Sequence, residues 1–63
     1  MSFSKKLKEL RIKNNLTQTD LGEKIYLSRT TISKYEQGKM EPNIDTIIEL
    51  SNIFKISIDE LLR

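Results

Sequence analysis

The stretch Thr17-Gln18-Thr19-Asp20-Leu21-Gly22-Glu23-Lys24-Ile25-Tyr26-Leu27-Ser28-Arg29-Thr30-Thr31-Ile32-Ser33-Lys34-Tyr35-Glu36-Gln37-Gly38 contains two helix starts and a helix stop in close succession. Thr17 and Ser28 are hydroxyl residues of the kind that cap helix N-termini, and Asp20 stands where a capping box places its acid, three residues after the cap. Leu21 and Ile25 recur at i, i+4, and Ile32 and Tyr35 at i, i+3, so each segment has one apolar face at helical spacing. Gly38 supplies the left-handed residue that ends a helix. Only about three residues lie between the first segment's end near Ile25 and the second cap. So short a turn makes the two helices cross steeply, the geometry of a helix-turn-helix.

The flanks read as further helices. Phe3, Leu7 and Leu10 stand at i, i+4, i+7, which predicts a first helix over about residues 3 to 14, ended by Asn14-Asn15 in a left-handed conformation. Pro42 blocks continuation of the third helix. Asn43 then caps a fourth, with Asp45 in its first turn and Ile44, Ile47, Ile48, Leu50 and Phe54 as a wide apolar stripe that walls the core. Ser57-Ile58-Asp59-Glu60 reads as a second capping box opening a last short helix with Ile58, Leu61 and Leu62 on its apolar side. The expected architecture is all-α, five short helices in a single compact domain over residues 1–63, a length that suits one small domain.

Composition narrows the chemistry. The 63 residues contain no cysteine and no histidine, so disulfides, thiol nucleophiles, zinc fingers and the usual general base are not to hand, and no metal or cofactor is expected. A catalytic pocket of roughly 300 Å³ or more has little room in so short a chain, which argues against an enzyme. No apolar run approaches the roughly 18 residues of a membrane span and no signal-peptide core follows Met1, which predicts a soluble, cytoplasmic protein. The net charge of +2 hides an asymmetry: residues 1–39 carry nine cations against four anions, residues 40–63 two against five. The first part of the chain is built to meet an anion.

The third helix is where that anion would be met. Arg29, Thr30, Ser33 and Lys34 fall on the face away from Ile32 and Tyr35, and the helix has no acid until Glu36. Arg and Lys can bond guanine O6 and N7 in a major groove, and Thr can meet a thymine methyl. The alternative is a helical protein–protein interaction module, an antirepressor or an adaptor, which needs no cations and would tolerate acids on this face.

Taken together, Leu7-Lys8-Glu9-Leu10-Arg11, Leu16 to Leu21, Ser28 to Lys39, Pro42 and Ser57 to Leu61 make the chain resemble the lambda Cro and repressor type (XRE-like) helix-turn-helix family over about residues 5 to 62. The resemblance implies a five-helix DNA-binding domain of a bacterial, phage or mobile-element transcriptional regulator, usually a homodimer on a palindromic double-stranded operator and most often a repressor. Carried over residue by residue, it puts Arg29, Thr30 and Lys34, joined by Ser33, on base edges, and Gln18, Ser28, Gln37 and Lys39 on the DNA backbone. Helix N-termini attract phosphates in any family, which adds Thr17 and again supports Gln18 and Ser28.

Two residues depart from the family pattern, Gly22 in place of its usual Ala and Tyr26 in place of its usual Gly. Gly22 lets the second and third helices approach closely, although it costs roughly 0.5 to 1 kcal/mol in helix propensity. A non-glycine residue held left-handed at position 26 costs about 1 to 2 kcal/mol, which points to a remodelled turn. Two further expectations concern assembly and support. Ile56, Ile58, Leu61 and Leu62 give the terminal helix more apolar surface than it can easily hide, marking them as a dimer contact. Arg11, on the core side of the first helix, is expected to pair with Glu36 in a structural ion pair, because a free carboxylate at that end of the third helix would repel DNA and oppose the macrodipole.

Overall fold

A computed structural model of the chain describes residues 3–63 as α1 (Phe3–Lys13), α2 (Gln18–Lys24), α3 (Arg29–Glu36), α4 (Ile44–Phe54) and α5 (Ile58–Leu61), with no strand among the described residues. Four of these helices begin on a side chain that accepts a backbone amide. Thr17 Oγ1 accepts from the Asp20 amide at 2.9 Å while Asp20 Oδ2 accepts from the Thr17 amide at 3.0 Å, a complete capping box. Ser28 Oγ accepts from Thr31 at 3.1 Å, Asn43 Oδ1 from Thr46 at 2.9 Å and Ser57 Oγ from Glu60 at 3.0 Å. At Ser57 only this half of the expected box forms, since the Ser57 amide does not donate to the Glu60 carboxylate.

The turns follow the left-handed positions. Asn15 takes φ 60° just past α1, Gly38 φ 74° past α3, and Lys55 φ 56° at the end of α4. Tyr26 takes φ 59°, so the turn between α2 and α3 keeps its left-handed residue despite the Cβ and is not remodelled. Gly22 explains how the turn stays tight. Its carbonyl accepts from both the Ile25 amide at 3.1 Å and the Leu27 amide at 2.9 Å, and a Cβ on it would lie 2.4 Å from the Leu27 carbonyl oxygen. The close approach that requires glycine is therefore to the turn backbone. The nearest α3 atom, Ile32 Cγ1 at 3.5 Å, is at ordinary contact distance.

Leu7, Leu21, Ile25, Ile32, Tyr35, Leu50, Phe54 and Leu61 form the core, with Phe3 standing edge-on to Tyr35 at a ring separation of 6.0 Å. Two sequence expectations are corrected here. Leu61 is fully buried, so it anchors α5 in the chain's own core and is not available as a dimer contact. The reason is length: a helix of a single turn has little stability of its own, and burying one leucine, worth roughly 1.5 to 3 kcal/mol, is what holds it. Ile56 likewise packs half-buried against the core, whereas Ile58 and Leu62 remain exposed. The second correction concerns α4. Its inward face is Thr46, Leu50, Ser51 and Phe54, with Ile47 half-buried, while Ile44 and Ile48 are 60% and 42% exposed. They lie two residues before Thr46 and Leu50, about 200° round the helix from them.

Candidate nucleic-acid interface

The α3 helix presents Arg29, Thr30 and Lys34 exposed and Ser33 half-buried, with Ile32 and Tyr35 turned into the core. Burial of one face thus orients the other. The N-terminus of α3 is capped by Ser28 and has no acid in its first turn, so its partial positive charge is open to an anion. The N-terminus of α2 differs, because the Asp20 carboxylate already occupies the Thr17 amide. That bond to the Thr17 amide, and next the Thr17 hydroxyl, hold the Asp20 carboxyl below its ordinary value of 3.8. Of the two helix starts, α3's is the more open to an anion.

Behind this face, Arg11 grips Glu36 with two parallel bonds, Nε to Oε2 at 2.6 Å and Nη2 to Oε1 at 3.2 Å. The Arg11 side chain is 13% exposed and that of Glu36 4%. The same guanidinium donates from Nη1 to the Leu16 carbonyl at 2.8 Å, so one side chain joins α1, the entry to α2, and the C-terminal end of α3. Gln18 Nε2 donates to Glu36 Oε1 at 3.2 Å. A carboxylate only accepts, so the amide nitrogen must face it, leaving the second Nε2 hydrogen for another acceptor. The acid at the end of α3 is neutralised by a partner, and the exposed α3 surface is cationic.

The remaining candidates flank this core of the site. Thr17 lies exposed at the start of α2 and Ser28 exposed at the start of α3. Gln37, exposed at the α3 C-terminus, donates from Nε2 to Ser33 Oγ at 2.8 Å, which ties these two together along the helix. Lys39 follows Gly38, its amide closing on the Lys34 carbonyl at 2.9 Å, so its side chain leaves the helix end exposed. Two participants are invisible in the sequence pattern: the Leu16 carbonyl, which any residue type could supply, and the bond from Gln18 to Glu36. The signal for the second is weak, a polar residue one position after a cap. Among the described residues no helix is long and apolar enough to cross a membrane.

Among the described residues, five short helices with a tightly turned α2–α3 pair and a polar α3 face define a helix-turn-helix domain. The chain belongs to the helix-turn-helix family, whose sequence model matches residues 7–61. It is similar to the HTH-type transcriptional activator BcrR of Enterococcus faecalis, 50% identical over 62 residues, or 98% of this chain and 30% of that protein. It is also similar to the HTH-type transcriptional regulator ImmR of Bacillus subtilis (strain 168), 40% identical over 62 residues, 98% of this chain and 49% of that one. The chain therefore spans half or less of these curated relatives. Among solved structures, the P22 c2 repressor protein in complex with synthetic operator 9T superposes with a TM-score of 0.93 at 28% identity, over 100% of this chain and 96% of that one.

Proposed function

We propose that this chain is the sequence-specific, double-stranded DNA-binding part of a transcriptional regulator, and that α3 enters the major groove. The observation that carries the reading is the α3 surface itself: Arg29, Thr30 and Lys34 exposed on one rigid helix whose terminal acid is bound by Arg11. A protein-interaction module has no need to neutralise that acid. Support comes also from the names of the relatives, which are transcriptional regulators, and from the P22 c2 repressor, described in complex with operator DNA. Arg29, Thr30, Ser33 and Lys34 read base edges, while Thr17, Gln18, Ser28, Gln37 and Lys39 meet phosphates, with Ser28 at the more open of the two helix starts.

Two copies are expected on a two-fold symmetric operator, meeting through Ile58 and Leu62 of the C-terminal segment together with Ile44 and Ile48 on α4, the exposed apolar residues of two helices that pack on each other. Occupancy of a promoter by such a dimer excludes polymerase without any further surface, so repression is the outcome assigned. It acts on DNA in the cytoplasm. Selection from a random duplex library tests the reading. Enrichment of a two-fold symmetric site with half-sites about one helical turn apart is expected, and a library that stays random would overturn it.

A further inference from the structure

Tyr26 is a residue the fold does not use. Among the described residues three non-glycine positions take a positive φ, Asn15, Tyr26 and Lys55. Asn is the type that tolerates this backbone, and Lys55 ends α4, outside the helix-turn-helix. Tyr26 stands inside it, a bulky aromatic at φ 59°. Nothing local offsets the strain. The residue is 92% exposed, so its ring packs on no core side chain, and its hydroxyl makes no hydrogen bond to the described residues. Turn closure comes from Gly22 accepting the Ile25 and Leu27 amides, which any left-handed residue at position 26 would permit. Strain kept without local compensation points to a role in what the side chain meets.

What lies within reach is the N-terminus of α3. Tyr26 precedes Arg29 by three residues, so their Cα atoms are at most about 11 Å apart. Lys24 and Arg29, both exposed, bracket it with positive charge, and the first turn of α3 contains no acid. A phenol here is a neutral donor between two cations, a setting that suits a phosphate oxygen. We propose that Tyr26 is a positioning residue for DNA: its hydroxyl donates to a backbone phosphate beside the base pairs facing Arg29 and fixes how the N-terminus of α3 enters the groove. This rests on the duplex-binding reading above.

The test compares the wild-type chain with Tyr26→Phe and Tyr26→Gly, each titrated onto a duplex recovered by selection and each melted thermally. Tyr26→Phe keeps ring and backbone and removes only the hydroxyl. An unchanged melting temperature is expected, with affinity about three- to tenfold weaker. The salt dependence of binding should stay as in wild type, because a neutral donor releases no counterion. Tyr26→Gly relieves the left-handed strain, so its melting temperature should rise while its affinity falls at least as far. A residue that merely shaped the turn would move both readouts the same way. Wild-type affinity in both variants would overturn the proposal and leave DNA binding standing, as would loss confined to the glycine variant. A lower melting temperature for Tyr26→Gly would make the tyrosine structural and equally overturn it. Failure of the wild-type chain to prefer any duplex would instead remove the reading on which the proposal rests.

Discussion

Removing the Arg11 side chain would strip the Glu36 carboxylate, 4% exposed, of both guanidinium bonds and leave it the single Gln18 amide bond at 3.2 Å. Removing Glu36 would leave Arg11 its bond to the Leu16 carbonyl and a path to water. Each alanine change should therefore cost about 1 to 3 kcal/mol in urea unfolding, Arg11→Ala the more, and the double variant should cost clearly less than the sum. Additive losses below about 0.5 kcal/mol would return both residues to the ordinary surface. This pair was legible because each partner adjoins a core position, Arg11 next to Leu10 and Glu36 next to Tyr35. Its third and fourth bonds were not, since they depend on how the chain reverses after Asn15. Gly22 was legible only in part: its missing Cβ signals a close approach, which the spacing assigns to the second and third helices, whereas the approach is to the turn backbone at Leu27. With the Leu27 carbonyl oxygen 2.4 Å from the Cβ position, Gly22→Ala should destabilise by about 1 to 3 kcal/mol through overpacking. That exceeds the roughly 0.5 to 1 kcal/mol alanine returns in helix propensity. Equal or higher stability of the alanine variant would show that the turn yields.

At the scale of elements, the four caps were readable because a cap is local: the side chain and the amide it accepts are three residues apart in sequence. The outward rotation of Ile44 and Ile48 and the burial of Leu61 were not, because an isoleucine-rich helix offers several apolar faces and only its neighbours choose among them. The α2 cap makes a prediction about acid. Asp20 binds its proton more weakly in the folded chain than in the unfolded one, through the Thr17 amide first, then the Thr17 hydroxyl, with Lys24 adding a little and partial desolvation opposing. A lowered folded value means that the stabilisation is complete at neutral pH, starts to fade near 3.8 and is lost as pH drops through the folded value. Asp20→Asn should thus melt below wild type at pH 7, and the gap should narrow progressively as the pH is taken from 7 to below 3.8. A gap of constant size down to that pH would mean the carboxylate's charge contributes nothing to the cap.

Across the whole molecule, charge and apolar surface divide the work. Nine of the eleven cations fall in residues 1–39, the part that forms α1 to α3, while the exposed Ile44, Ile48, Ile58 and Leu62 belong to α4 and the C-terminal segment. The first feature predicts affinity that falls steeply with salt, the second a pairing of copies. Both would also suit a protein that binds DNA without regard to sequence, so neither tests base reading by α3. The most direct test is the affinity of Arg29→Ala and Lys39→Ala for the selected duplex and for duplexes altered one base pair at a time within each half-site. Arg29→Ala should lose about 1 to 3 kcal/mol on the selected duplex and become indifferent at one base position, while Lys39→Ala should weaken every duplex alike. Uniform loss for both variants would contradict base reading by α3 and leave a surface that recognises only the phosphate backbone.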